Sequence, residues 1–262
     1  MTRLPSYRDS PILEYDPNPT AIIEPAQVIG PLDDMPEHCV LCFFQNVIEQ
    51  FADQGLAREI KSYPNESGRR RFYALDCGLD RPVALTHPGV GAPAAAASLE
   101  VSIALGARKF IACGGAGVLD RSIAVGHLIV PTAAIRDEGT SYHYLPAGRE
   151  VAPAPKAVQA IEAVLQRNQV DYLTAKTWTT DGVFRETRAK TERRRAEGCL
   201  TVEMEAATFF AVAQFRGVHL GQILYGGDNL DADRWDRRDW MNRHTVREKL
   251  VFLAAEACLE MT

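Results

Sequence analysis

The residues of this chain best suited to chemistry are two carboxylates two positions apart, Glu203 and Glu205, in the run Thr201-Val202-Glu203-Met204-Glu205-Ala206-Ala207. They fall where an apolar strand pattern gives way to an Ala/Phe-rich helix pattern. In extended backbone, residues i and i+2 face the same side, so both acids can address one ligand at the strand end. Beside Val202, Met204, Phe209 and Phe210 such groups are costly to desolvate unless they accept hydrogen bonds. A sugar diol offers two O–H donors at about the spacing of one carboxylate's two oxygens, and ionisation of the acceptor strengthens each bond. The same acids also suit the first turn of a helix, whose dipole favours negative charge. A third acid, Asp228, follows Gly226-Gly227 at the end of another apolar run, where it reads either as a Gly-Asp-Asn turn or as a proton donor.

These acids need elements to position them, and from Cys39 onward the chain alternates strand and helix patterns. Strands are expected at 39–44, 70–77, 82–87, 108–112, 127–135, 171–178 and 218–226, with one more running into the Glu-Met-Glu triplet. Helices are expected at 45–55, from Gly91 to about Leu105, at 154–167, at 187–197, after Glu205 and from about 240. This alternation predicts a single α/β domain over 38–262, with a twisted, mostly parallel sheet flanked by helices. In such sheets ligands sit beyond the carboxyl ends of the strands. The exits here carry Gly89–Pro93, Gly114–Gly117, Thr179–Asp181, Glu203–Glu205 and Gly226–Asp228. Glycine permits close approach of backbone to a ligand at three of them. Residues 1–37 hold seven scattered prolines and little periodicity, which predicts an extended arm suited to oligomer contacts.

Composition narrows the partners. The 262 residues are 46% hydrophobic and 24% charged, ordinary values for a globular chain. A net charge of −5 provides no footprint for nucleic acid or an acidic membrane. Six cysteines, including Cys39 and Cys42 in an apolar run, read as reduced, buried thiols, and no second pair with metal-ligand spacing accompanies them. The polar N-terminus and the lack of any long apolar run predict a cytoplasmic location.

Taken in order, the segments resemble the nucleoside phosphorylase family, which includes purine nucleoside phosphorylase, uridine phosphorylase and methylthioadenosine/adenosylhomocysteine nucleosidase. The similarity spans roughly residues 38–262. It rests on Gly89–Pro93, Cys113–Gly117, Ile123–Val130 (with His127 in place of the family's Asp), Arg136–Pro146 and Glu203-Met204-Glu205. The resemblance implies a phosphorylase/hydrolase-like, partly barrel-like fold, cleavage of a nucleoside's N-glycosidic bond, and a homo-oligomer (dimer, trimer or hexamer) with shared active sites. It implies no cofactor, only phosphate as co-substrate. Glu205 would accept from the ribose hydroxyls, with Met204 and Glu203 lining sugar and base. Asp228 would protonate the leaving base, and because uridine phosphorylases generally lack an acid there, it tilts the substrate toward a purine. Phe184 and Asp181 would meet the base.

The nucleophile end departs from the family pattern. The first strand exits through Phe43-Phe44-Gln45-Asn46, without the expected glycine and arginine, and Ala112-Cys113-Gly114-Gly115 lacks the expected arginine and hydroxyl. Gly91, Gly114 and Gly115 remain as backbone donors for phosphate, with Arg69 and Arg71 as compensating cations. An arginine-rich strand edge is equally what protects a sheet from pairing. A hydrolase using water, and a non-catalytic nucleoside sensor, are therefore the alternatives to a phosphorylase. The cationic run from Arg185 to Arg195 is interleaved with Glu186, Glu192 and Glu197 and reads as a solvated helix face.

Overall fold

A computed structural model describes residues 10–66, 68–76, 78–231 and 234–261; residues 1–9 of the arm and Cys77 fall outside them. Strand β1 (His38–Cys42) is buried along its whole length. Its alternation splits it between two cores: Val40 and Cys42 join one, Cys39 and Leu41 the other. A strand covered on both faces reads as a continuous apolar run.

β1 lies between two parallel neighbours, β4 (Val83–Thr86) and β5 (Lys109–Val118). Beyond β4 the sheet continues antiparallel through β3 (Gly68–Leu75) to the edge strand β2 (Ala57–Asn65). On the other side β5 pairs in parallel with β10 (His219–Asn229), which turns antiparallel against β6 (Leu128–Asp137). β6 runs parallel to β8 (Tyr172–Thr180), β8 parallel to β9 (Cys199–Glu203), and β9 returns antiparallel to β5 at Gly117 and Val118. Strands β5, β10, β6, β8 and β9 thereby close a ring, and the two-residue β7 (Glu150–Val151) is added at β6. The fold is a single α/β domain with a mixed sheet, partly closed as a barrel.

Helices cover both faces. α2 (Gln45–Asp53), α4 (Pro155–Arg167) and α7 (His244–Glu260) enclose the core that holds Ile223 and Tyr225. α3 (Ala92–Leu105) and α6 (Ala206–Arg216) enclose the other, and Ala95, Ala96, Ala206 and Ala207 keep that layer thin. α5 (Arg188–Ala196) sits beside β9. The described part of the arm, with the short α1 (Pro25–Val28), runs along its own subunit: Arg216 donates to the Pro19 carbonyl and Leu32 N–H to the Leu105 carbonyl.

Besides the short α1 and β7, two elements differ from the sequence expectation. β2 was not foreseen, because its polar composition and Pro64 weaken the strand signal. Gly114–Gly117, expected as a turn, continues β5. The glycines are needed for space: a Cβ on Gly117 would lie 2.5 Å from Leu230 and 3.1 Å from Val202, where β9 closes the ring. One on Gly115 would lie 3.1 Å from Trp240 and 3.2 Å from Tyr225.

Candidate active site

A cavity of about 470 Å³ opens where β5, β9 and β10 end, and Gly114, Gly115, Glu203, Met204, Glu205 and Asp228 all line it. The two acids of the triplet, though neighbours, are used differently. Glu203 ends β9 at the start of α6, and its Oε2 accepts from the backbone N–H of Glu205 at 2.7 Å and of Ala206 at 2.6 Å. Its Oε1 accepts from the Thr179 hydroxyl at 2.6 Å, while that hydroxyl accepts from Ala207 N–H at 2.9 Å. Glu203 therefore anchors the helix start to β8, with little capacity left for a ligand.

Glu205 has looser ties. Its Oε1 accepts from Gly91 N–H at 2.5 Å and its Oε2 from Met204 N–H at 3.3 Å, so each oxygen keeps acceptor capacity toward the cavity. Gly91 holds φ +90 at the start of α3, a conformation that favours glycine, and its N–H donates to Glu205 instead of standing free for the phosphate expected there. Burial pushes the carboxyls of Glu203 and Glu205 upward, and the charge of Glu203 raises Glu205 further. Hydroxyl donors arriving at Glu205 would favour its ionised form again.

Asp228 lies in β10, and the Trp235 indole N–H donates to its Oδ2 at 2.6 Å. Among the described residues no protein donor reaches Oδ1. Glu186 also lines the cavity, contrary to the solvated helix face expected for it, because the run after Gly182 forms a 3-10 turn (Val183–Arg185) before α5 begins. Burial and then the negative Asp228 raise its carboxyl to about 7. Arg194 also departs from that expectation: it is buried, paired with Asp137 at 3.2 Å and Glu197 at 2.9 Å.

Three other expectations need correction. Phe184 is 96% exposed and does not line the cavity; its neighbour Val183 does. A 3-10 turn rotates about 120° per residue, so adjacent side chains cannot share a face. Asp181 is exposed and accepts from Gly139 N–H at 2.8 Å, tying the β8 exit to the loop after β6. Arg69 and Arg71 line a separate cavity of about 430 Å³ with Gln45, Asn65 and His87. Arg69 donates to the Ser62 hydroxyl at 2.9 Å and Arg71 pairs with Glu59 at 3.6 Å, across the β2–β3 hairpin.

Residues that sequence reasoning missed are Trp235, Trp240, Gln222 and Arg247, all of which line the main cavity. Aromatics in an otherwise polar stretch were the available signal for the tryptophans. For Arg247 the signal was its place one turn before Leu250 and Val251, on the buried side of α7. The five described cysteines are free and buried, and no cluster of acidic, His and Cys side chains among the described residues can hold a metal. No helix among them is long and apolar enough to cross a membrane.

Comparisons with known proteins agree with this architecture. A guanosine phosphorylase from Halorubrum lacusprofundi is 30% identical over 198 residues, covering 69% of this chain and 82% of that protein. A uridine phosphorylase from Treponema pallidum is 30% identical over 176 residues, covering 62% and 68%. Among solved structures, an AMP nucleosidase from Bacteroides thetaiotaomicron superposes with a TM-score of 0.70 at 24% identity over 86% of this chain and 88% of that one. Purine nucleoside phosphorylase from Toxoplasma gondii, in complex with immucillin-H, gives 0.72 at 20% identity over 87% and 93%. Residues 37–260 match the phosphorylase superfamily, and with that span and this fold the chain belongs to it, among enzymes that are nucleoside phosphorylases or nucleosidases.

Proposed function

We propose that this enzyme cleaves the N-glycosidic bond of a purine nucleoside by phosphorolysis, releasing the free base and ribose-1-phosphate. The observation that carries the reading is the opening of Glu205 and Asp228, far apart in sequence, into one cavity beside the glycine segment of β5. As the C1′–N bond breaks, the ribose gains oxocarbenium character and the base gains negative charge. Glu205 accepts from the 2′- and 3′-hydroxyls and keeps its negative charge near the ribose as positive charge develops. Asp228, with one oxygen fixed by Trp235 and the other unengaged by protein, is placed to deliver a proton to the base nitrogen. Glu186 beside it is a second acid that holds a proton near neutrality. Asp228 supports a purine over uridine, while the similar proteins include a guanosine and a uridine phosphorylase at the same 30% identity.

Hydrolysis by water is the second reading, favoured by the seating of Arg69 and Arg71 outside this cavity. Incubation with inosine, guanosine, adenosine, methylthioadenosine and uridine, with and without phosphate, tests both. Phosphate-dependent release of purine with ribose-1-phosphate is the expected result. Free ribose at an unchanged rate without phosphate establishes the hydrolase, and no cleavage of any nucleoside leaves a binding protein. A homo-oligomer is the assembly we infer, since Phe184, next in sequence to the cavity-lining Val183, is turned to solvent.

A further inference from the structure

Arg247 is a buried cation that forms no ion pair among the described residues. The residue is 8% exposed, and its guanidinium carbon lies 5.1 Å from the ring centre of Phe44, 5.4 Å from Trp240 and 5.9 Å from Tyr225. Its polar contacts are with neutral groups: Nε donates to the Tyr225 hydroxyl at 3.1 Å, and Nη1 makes a long contact with Asn46 Oδ1 at 3.5 Å. Among the described residues it enters no ion pair, and no protein acceptor engages Nη2. Aromatic faces offset part of the cost of desolvating a guanidinium, yet an unpaired buried charge remains expensive. Retaining one makes sense where an anion completes it.

The surroundings state which anion. Among the described residues, four acids line the cavity, Glu186, Glu203, Glu205 and Asp228, and Arg247 is the one cation. Gly115 packs on the same Trp240 and Tyr225 rings that hold the guanidinium, so the glycine segment of β5 and Arg247 border one corner. That corner adjoins Phe44 and Asn46, at the β1 exit, where the sequence has no arginine of its own.

We propose that Arg247 holds the phosphate that attacks the ribose, replacing from α7 the arginines missing at the ends of β1 and β5. This rests on the phosphorolytic reading above. A phosphate oxygen forms the bond to C1′ as the C1′–N bond breaks, and the bonding pair leaves on the base nitrogen, which takes the proton. The guanidinium fork suits two phosphate oxygens, and the aromatic box holds it in place before phosphate arrives. Among the described residues that line this cavity, no other side chain carries positive charge to attract a dianion.

Two measurements test this. Phosphate without nucleoside should raise the melting temperature of the wild type, and Arg247→Gln should abolish that rise. In turnover, Arg247→Gln should raise the KM for phosphate on the order of 30-fold, the range for losing a charged hydrogen-bond pair. The KM for nucleoside should stay within about threefold, and Arg247→Lys, retaining charge without the fork, should fall between. If Gln at this position impairs folding, the Lys variant alone carries the comparison. An unaltered phosphate-induced rise, or equal loss toward phosphate and nucleoside, overturns the assignment. So does preferential cleavage of a nucleoside 5′-monophosphate that Arg247→Gln removes, which would give the cation to a phosphate ester. Should the wild type yield only ribose while phosphate still gives an Arg247-dependent rise, phosphorolysis is refuted and the anion site stands. Should phosphorolysis occur with no dependence on Arg247, the site is refuted and the reaction stands.

Discussion

Two neighbouring cavities carry opposite chemistry. One, lined by Gly89, His87, Glu49 and the consecutive Arg69, Arg70 and Arg71, takes all its arginines from a single strand. The other, bordered by Val90, takes Glu203 and Glu205 from the end of β9, Asp228 from β10, Glu186 from the segment before α5 and Arg247 from α7. The arginines are spent locally: on Ser62, on Glu59, and for Arg70 on the Pro88 carbonyl at 3.2 Å. In the second cavity the charges come from four different segments, and Glu205, Asp228 and Arg247 keep hydrogen-bonding capacity to spare. Clustering in sequence marks a strand edge here, whereas convergence in space marks the site.

The sharpest way to break this contrast is Asp228→Asn. If Asp228 protonates the base, turnover should fall by roughly 10²–10⁴-fold, the usual worth of general acid catalysis, with the KM for nucleoside little changed. Unchanged turnover would remove Asp228 from the reaction. Glu205→Gln comes next: kcat/KM for nucleoside should drop by about 30- to 100-fold through loss of charged hydrogen bonds to the ribose. Inhibition by the free base should be unaffected, and equal weakening of both would contradict the sugar role.

The triplet itself offers a third comparison. Glu203 is buried and its oxygens accept from Thr179, Glu205 and Ala206, so its removal strands buried donors. Glu203→Ala should cost about 2–3 kcal/mol and lower the melting temperature by several degrees. Glu205→Ala, facing the cavity, should cost much less; similar melting shifts would erase the distinction between anchor and ligand acceptor.

A smaller effect concerns Glu186, whose carboxyl is raised from 4.5 to about 7 by burial and by Asp228, with Lys190 opposing. The folded protein binds this proton more tightly than the unfolded chain. Its contribution to stability is therefore fully present below about pH 4.5 and is lost as pH rises through about 7. Glu186→Gln should flatten the fall in melting temperature across that window. Parallel melting curves for the variant and wild type would place Glu186 in bulk-like solvent.

Much of this was legible before the fold was known, and the exceptions share a cause. The strand-to-helix junction at Glu203–Glu205 could be read because burial and backbone period act locally. Glycines 114–117 misled, since a turn and a crowded strand both demand the smallest residue, and only closure of the ring by β9 decides between them. Phe184 misled because a hydrophobic residue in a 3-10 turn faces wherever that turn happens to rotate it. Arg247 left a trace, a cation on an apolar helix face, but its aromatic box comes from residues 44, 225 and 240, which no local pattern joins.

The smallest expected effect is also the control on the whole contrast. Replacing Arg69 and Arg71 together by Ala removes two exposed side chains whose partners, Ser62 and Glu59, lie across one hairpin. Exposed pairs of this kind contribute little, so the melting temperature should move by no more than a few degrees. With Arg247 supplying the cation, the KM for phosphate should change less than about threefold, since the lost charges are screened by solvent. A tenfold rise would mean that the arginine strand completes the cavity of an adjoining subunit. Sedimentation of the same double variant separates the cases: loss of the assembly together with loss of phosphate binding would show that the two cavities work as one across a subunit boundary.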